Sequence, residues 1–138
     1  MSSIVQTQTT SFKKELYQGV HNLSTDTLKI ALYTANADLN EATTIYTVTG
    51  EVSGGGYAAG GVVLTGVTIS SDGYTAFVNF NNVAFNASVT ARCALIYNVT
   101  QGNKSIAVLD FGSDKTSSNF TITMPANTAS AALIRSSN

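Results

Sequence analysis

Apolar and polar residues alternate along several stretches of the chain, and this alternation predicts β-strands. In residues 28–33, Leu28, Ile30 and Leu32 fall on one side and the intervening residues on the other, which is the period of an extended chain. We interpret this stretch as a half-buried strand with one face in the core. Similar patterns predict strands at 62–70, 74–80, 83–85, 89–98, 105–111, 119–124 and 131–135, and a short extended segment at 45–49. Residues 112–118 are polar and are predicted to form a loop.

Turn signals separate these strands at intervals of about 8–12 residues. SDG at 71–73 and TQGN at 100–103 are typical of hairpin turns, and Pro125 ends the strand before it. The sequence therefore predicts an all-β fold, an antiparallel β-sandwich of immunoglobulin-like or jelly-roll-like type.

One short helix is expected near the N-terminus. In residues 11–23 the apolar positions repeat with helical spacing, Ser11 is a candidate N-cap, and Gly19 weakens the pattern by about 1 kcal/mol. The apolar face of this helix comprises Phe12, Leu16, Val20 and Leu23.

Residues 1–10 contain no charged side chain and few apolar ones, which predicts a flexible arm that becomes a strand where a partner edge is offered. We therefore expect an arm at 1–10 and a single domain at 11–138.

Composition supports this fold and argues against several partners. Only 11% of the 138 residues are charged, the formal net charge is −1, and the seven lysines and arginines are scattered. Binding to nucleic acid or to an anionic membrane requires a clustered basic surface, so we expect neither partner. No secretory signal and no membrane helix is recognisable, which favours synthesis in a cytosol. The lone Cys93 lies in an apolar run and is expected to be buried.

The segment GEVSGGGYAAGG at 50–61 looks at first like a phosphate-binding loop. It lacks the Lys and hydroxyl residue of a P-loop, and Ala59 stands where the dinucleotide pattern requires a third glycine. A β-rich stretch follows it rather than a helix. We interpret the segment as a tightly bent connection between strands, in which glycines allow positive φ and close backbone approach.

Other candidate chemistry is weak. Asp110-Phe111-Gly112 matches a kinase tripeptide without the rest of that fold, and Asp110, Ser113 and Asp114 lack the spacing of a calcium loop. His21 is the single histidine, and no G-x-S-x-G motif accompanies it. We therefore expect no enzymatic activity, no metal site and no cofactor.

Three long strings carry a resemblance to a known family. TLKIALYTANADLNEATTIYTVTGEVSGGGYAAGG, ARCALIYN and SIAVLDFGSDKTSSNFTITMP resemble small structural proteins of tailed bacteriophages and prophages. The resemblance covers roughly residues 11–135. It implies a place in the virion, most like that of a capsid decoration or cement protein on the outer surface of the head. The implied partners are the major capsid protein and further copies of the chain, as a homotrimer or other homo-oligomer.

Contact residues are expected in two places, the N-terminal arm and the glycine-rich segment. The candidates for capsid or subunit contact are Ile4, Val5, Gly54, Gly55, Gly56 and Tyr57. The alternative is a tail, neck or fibre component that binds a host surface or glycans, where some of the six tyrosines would stack on sugars. A cell-wall hydrolase is the third hypothesis, and the chain offers no convincing pair of carboxylates for it.

Overall fold

The structure is a computed structural model, and it describes residues 4–137. The described chain forms ten strands and one helix. In chain order they are β1 (Thr7–Gln8), α1 (Thr10–Tyr17), β2 (Leu28–Tyr33), β3 (Val62–Val63), β4 (Thr68–Asp72), β5 (Thr75–Asn79), β6 (Val83–Ala84), β7 (Val89–Asn98), β8 (Lys104–Ser117), β9 (Thr121–Ile122) and β10 (Ile134–Ser137).

The strands lie in three antiparallel sheets. The largest has the order β1-β8-β7-β2-β3, the second β10-β5-β4, and the third β6-β9. A first core lies between the five-stranded sheet and the two smaller ones, and it joins aliphatic side chains of β2, β7 and β8 to a group of phenylalanines. The predicted all-β antiparallel sandwich with one short helix is confirmed. The phenylalanines of this core are Phe12, Phe80, Phe85 and Phe120.

The five-stranded sheet is buried on both faces, which corrects the half-buried strand predicted for β2. Ala31 and Tyr33 point away from the first core, yet both are fully buried. They belong to a second cluster that the segment after β2 covers with Ala37 and Leu39. Alternation showed which residues share a face, but it could not show that a later segment folds back over the second face.

The helix is shorter than predicted and begins earlier. Thr9, not Ser11, is the N-cap, and its side chain accepts a hydrogen bond from the N–H of Phe12. The helix ends at Tyr17, and Gly19 follows with φ +71°, a conformation that glycine adopts readily and that terminates helices. Leu23 is buried, although it lies beyond the helix.

Residues 4–10 lie against the domain, which differs from the predicted arm. β1 pairs with β8 through Thr7↔Val108 and Gln8↔Ala107, and Thr9 is fully buried. β8 of the same chain provides the strand edge with which this segment pairs. Residues 4–10 are therefore part of the folded domain. Residues 1–3, the remainder of the predicted arm, lie outside the described residues.

Several loop and strand assignments also differ from the sequence prediction. The strand predicted at 62–70 is divided into β3 and β4, which lie in different sheets, and the last strand is Ile134–Ser137 rather than 131–135. The predicted extended segment at 45–49 forms only a single bridge, between Ile45 and Lys104. The predicted polar loop after Gly112 is strand, because β8 continues to Ser117 and pairs there with Val89. No helix within residues 4–137 is long and apolar enough to cross a membrane.

Candidate functional site

The glycine-rich connector, residues 50–61, follows the surface of β2 and the start of β7 closely. A Cβ at Gly61 would lie 1.9 Å from the carbonyl oxygen of Ile30, and one at Gly55 would lie 1.9 Å from that of Ser88. Both glycines have positive φ, at +82° and +64°. The connector therefore depends on glycine for its backbone shape, as the sequence predicted.

A tyrosine–glutamate cluster, formed by Tyr33, Tyr46, Glu51, Tyr57 and Tyr97, fixes the connector to the sheet. The Tyr46 hydroxyl donates to Glu51 Oε1 at 2.5 Å, and the Tyr57 hydroxyl donates to Oε2 at 2.6 Å. The N–H of Gly60 donates to the same Oε2 at 2.8 Å. The Glu51 carboxylate thus accepts three hydrogen bonds, two of them from tyrosine side chains that lie on either side of it in the sequence.

The tyrosines of this cluster also bond to backbone groups. Tyr57 Oη accepts from the N–H of Leu32 at 3.0 Å, and the Tyr97 hydroxyl donates to the carbonyl of Gly60 at 2.6 Å. The rings of Tyr46 and Tyr97 are stacked, with centroids 4.7 Å apart. These contacts tie the connector, β2 and β7 together.

The cluster keeps its hydroxyl groups protonated. Burial, with the nearby Glu51 charge as a further cause, raises the pKa of Tyr97 to about 12. Burial also raises the pKa of Tyr33, Tyr46 and Tyr57 well above the ordinary value of 10. Neutral, hydrogen-bonded phenols act as donors that stabilise the fold, and they are not nucleophiles at neutral pH.

The predicted contact residues occupy two separate places. Gly54, Gly55 and Gly56 are exposed at the tip of the connector, whereas Tyr57 is partly buried in the tyrosine–glutamate cluster. Val5 is exposed, and Ile4 packs against the second core beside Leu39. No hydrogen bond or ring contact found in residues 4–137 joins these two groups. Their role in binding stays a prediction.

The single histidine belongs to a buried polar network. The side chain of His21 is fully buried, with Nε2 2.8 Å from Glu15 Oε1 and Nδ1 2.9 Å from Asn98 Nδ2. The Asn98 amide also donates to Asp26 Oδ2 at 2.9 Å. Because Nδ1 accepts from Asn98, the ring proton lies on Nε2 and is donated to Glu15. Both ring nitrogens are occupied by protein partners.

Asp26, one of the two acids in this network, is held in its charged form. Burial would raise the pKa of Asp26, but hydrogen bonds from Asn98, the N–H of Asn22 and Gln101 outweigh it and lower the pKa. The network therefore ties the segment after α1 to the end of β7.

The other candidate residues also have structural surroundings. Asp110 forms an ion pair with Arg92 at 3.2 Å and accepts the N–H of Gly112. Cys93 is fully buried, and burial raises the pKa of its thiol to about 12. Within residues 4–137 no three His, Cys, Asp or Glu side chains are grouped as a metal site would require.

A groove between α1 and the β10-β5-β4 sheet has a volume of about 920 Å³. Leu16 and Tyr17 of α1 and Ile69 of β4 line it with 42%, 94% and 53% of their surfaces exposed. Its charged lining residues are Lys13 and Arg135. Sequence reasoning missed this groove, because it placed Leu16 on the buried face of a longer helix.

Comparisons with models of protein families, with curated proteins and with solved structures found no match for this chain. Function is therefore inferred from the residues, their geometry and the resemblance of the sequence strings described above.

Proposed function

We propose that this protein is a structural component of a bacteriophage particle, a decoration protein that binds the outer surface of the head and stabilises it. The resemblance of the sequence to phage structural proteins supports the setting. The neutral, hydroxyl-rich composition supports a role in protein contacts rather than in acid–base chemistry. The main partner would be the major capsid protein.

The groove beside α1 is the observation that carries this proposal. Exposed apolar side chains that cluster around one concave surface are typical of sites that bind another protein. Tyrosine is common at such sites because it combines a large apolar ring with a polar tip. Among the described residues, the charged groups that line the groove are Lys13 and Arg135. An apolar side chain flanked by acidic residues on the capsid protein would complement it.

The test is the addition of purified protein to heads that lack it, with Tyr17→Ser as the main variant. Tyr17 lines the groove with its ring exposed to a partner, so we expect this substitution to weaken binding at least about tenfold, within the range of an interface anchor. Tyr74→Ser is the matched control, because Tyr74 is 88% exposed and lies outside the groove. Bound protein would be measured by sedimentation with the heads.

Three results bear on the proposal. Binding that raises the heat resistance of the heads and is lost in Tyr17→Ser alone would support it. Failure of the unmodified protein to bind heads would contradict it. Equal binding by both variants would contradict the role given to the groove.

A tail, neck or fibre component is the second candidate, and the exposure of two tyrosines favours it. Tyr17 and Tyr74 present their rings to solvent, and such rings stack on sugars. Binding of either ring to host glycans, together with failure to bind heads, would support this candidate instead.

A further inference from the structure

Strand β4 is an open edge of the second sheet. It pairs with β5 on one side, and no strand within residues 4–137 pairs with its other side. All five residues, Thr68 to Asp72, are exposed. Proteins ordinarily protect such an edge with lysine, proline or a bulge, because its free N–H and C=O groups accept another strand. The sequence TISSD has neither lysine nor proline.

The other outermost strands are shorter than β4, since β1, β3, β6 and β9 have two residues each and β10 has four. β1 pairs with β8, and the side chain of Gln6 accepts the N–H of Asp110 beyond that pairing. On the far edge of the second sheet, the side chain of Gln8 donates to the carbonyl of Arg135. The exposed edge of β4 therefore stands out as a site for strand pairing.

The turn between β4 and β5 shows which backbone groups are available. Asp72 and Thr75 are paired and flank the two-residue loop Gly73–Tyr74, in which Gly73 has φ +60°. Glycine in the first loop position is typical of a type II′ hairpin, whose flanking residues form a hydrogen-bonded pair. Hydrogen-bonded and non-hydrogen-bonded pairs alternate along an antiparallel ladder. The N–H and C=O groups of Ile69 and Ser71 thus point away from β5.

We propose that β4 pairs with β4 of a second copy of this chain, antiparallel and across a twofold axis at Ser70. In this register Ile69 faces Ser71 of the other copy, and each pair exchanges two hydrogen bonds. All four outward-pointing groups of each strand are then satisfied. Asp72 faces Thr68 rather than another acid, so no like charges oppose each other.

The side-chain pattern also fits a second copy. Ile69, Val78 and Ile134 are direct partners across β4, β5 and β10, and they form one apolar row. Ile134 is buried, Val78 is partly buried, and Ile69 is mostly exposed at the open edge. Pairing around Ser70 makes the two Ile69 side chains diagonal neighbours on the same face of the joined sheet, about 7–8 Å apart. The row then continues from one copy into the next.

Disulfide trapping tests the register directly. In the proposed dimer the two Ser70 residues form a non-hydrogen-bonded pair with Cα atoms about 4.5 Å apart, which a disulfide can span. We expect Ser70→Cys to give a covalent dimer of twice the 14.4 kDa chain on mild oxidation. Thr68→Cys is the matched control, because its two copies would lie about 13 Å apart along the strands. The native Cys93 is buried and should not react.

Ser70→Cys should crosslink at least about tenfold faster than Thr68→Cys, since only the former places its thiols within bonding distance. Equal rates, or no dimer from Ser70→Cys, would overturn the proposal.

A second pair of variants checks association without a crosslink. Ile69→Lys places two charges near the axis and should shift the protein to monomer, whereas Val48→Lys, at another exposed apolar position, should not.

Circular dichroism would confirm that all four variants are folded. If Ile69→Lys leaves the folded protein as associated as Val48→Lys does, β4 is not the interface. These measurements use the isolated protein without phage heads. Their failure would therefore leave the proposed decoration function to be judged by the head-binding experiment alone.

Discussion

Glu51 is the residue on which the position of the connector depends most. Its carboxylate accepts from two tyrosine hydroxyls and one backbone N–H, so it holds both ends of the connector and the residues just before it around one acidic group. Sequence reasoning did not find this cluster, because Tyr33, Tyr46, Tyr57 and Tyr97 are spread along the chain. The one signal was an isolated acid within an almost uncharged, glycine-rich stretch.

Replacing Glu51 by glutamine should destabilise the fold. The amide has only one acceptor oxygen, so at least one tyrosine hydroxyl or the N–H of Gly60 loses its partner. Hydrogen bonds to charged groups contribute about 1.5–3 kcal/mol each, and we expect the free energy of unfolding to fall by about 2 kcal/mol. Denaturant titration would measure it. Glu41→Gln, at an exposed acid, should change stability little, and an equal loss in both variants would contradict the role of the cluster.

At the scale of elements, the long regular strands were predicted well and the irregular ones poorly. The bounds of β2 and β7 agree with the sequence prediction, because strict alternation or a long apolar run marks them. The later part of β8 was predicted as a loop, since its residues are polar. Its strand conformation comes from pairing with Val89–Ala91, a tertiary contact that local sequence does not reveal.

Two glycines of the connector test whether its close approach to the backbone of β2 contributes to stability. Gly54 and Gly61 both have φ near +80°, but a Cβ at Gly54 meets open space, whereas one at Gly61 collides with the backbone of Ile30. Gly54→Ala should therefore destabilise by about 1–2 kcal/mol, from the unfavourable φ alone. Gly61→Ala should lose about 2 kcal/mol more, because β2 or the connector must shift.

Thermal or denaturant unfolding of the two variants would measure this difference. Equal losses in the free energy of unfolding would mean that the positive φ alone causes the destabilisation. The close contact between the connector and β2 would then add nothing to stability.

For the whole molecule, the central feature is a sheet buried on both faces. The first core unites it with the two smaller sheets, and the second core places Tyr33 and Tyr97 beneath the segment that follows β2. The sequence predicted the class of fold and a bent connector. It could not predict the second core, the groove beside α1 or the packing of residues 4–10, because each depends on segments that meet only in the folded chain.

Burial of the tyrosines predicts a loss of stability at alkaline pH. Their pKa is raised above the value near 10 that they have when unfolded. The unfolded chain therefore releases these protons first. The stabilisation is fully present below pH 10 and is lost progressively as pH rises from 10 toward 12 and beyond.

Denaturant titrations between pH 8 and about pH 12 would measure this loss. Tyr97→Phe should flatten the dependence, whereas Tyr74→Phe, at an exposed ring, should not. A free energy of unfolding that stays constant through this range would contradict the account of the tyrosine–glutamate cluster.

The most direct test of the proposed function is the copy number and position of this protein in the phage particle. A shell repeats its surface sites by symmetry, so a decoration protein is present in hundreds of copies on the outside of the head. Quantitative mass spectrometry of purified virions, with electron cryo-microscopy of the same particles, would measure both. We predict hundreds of copies on the outer surface of the head. Roughly a dozen or fewer, located at the tail or neck, would contradict the account.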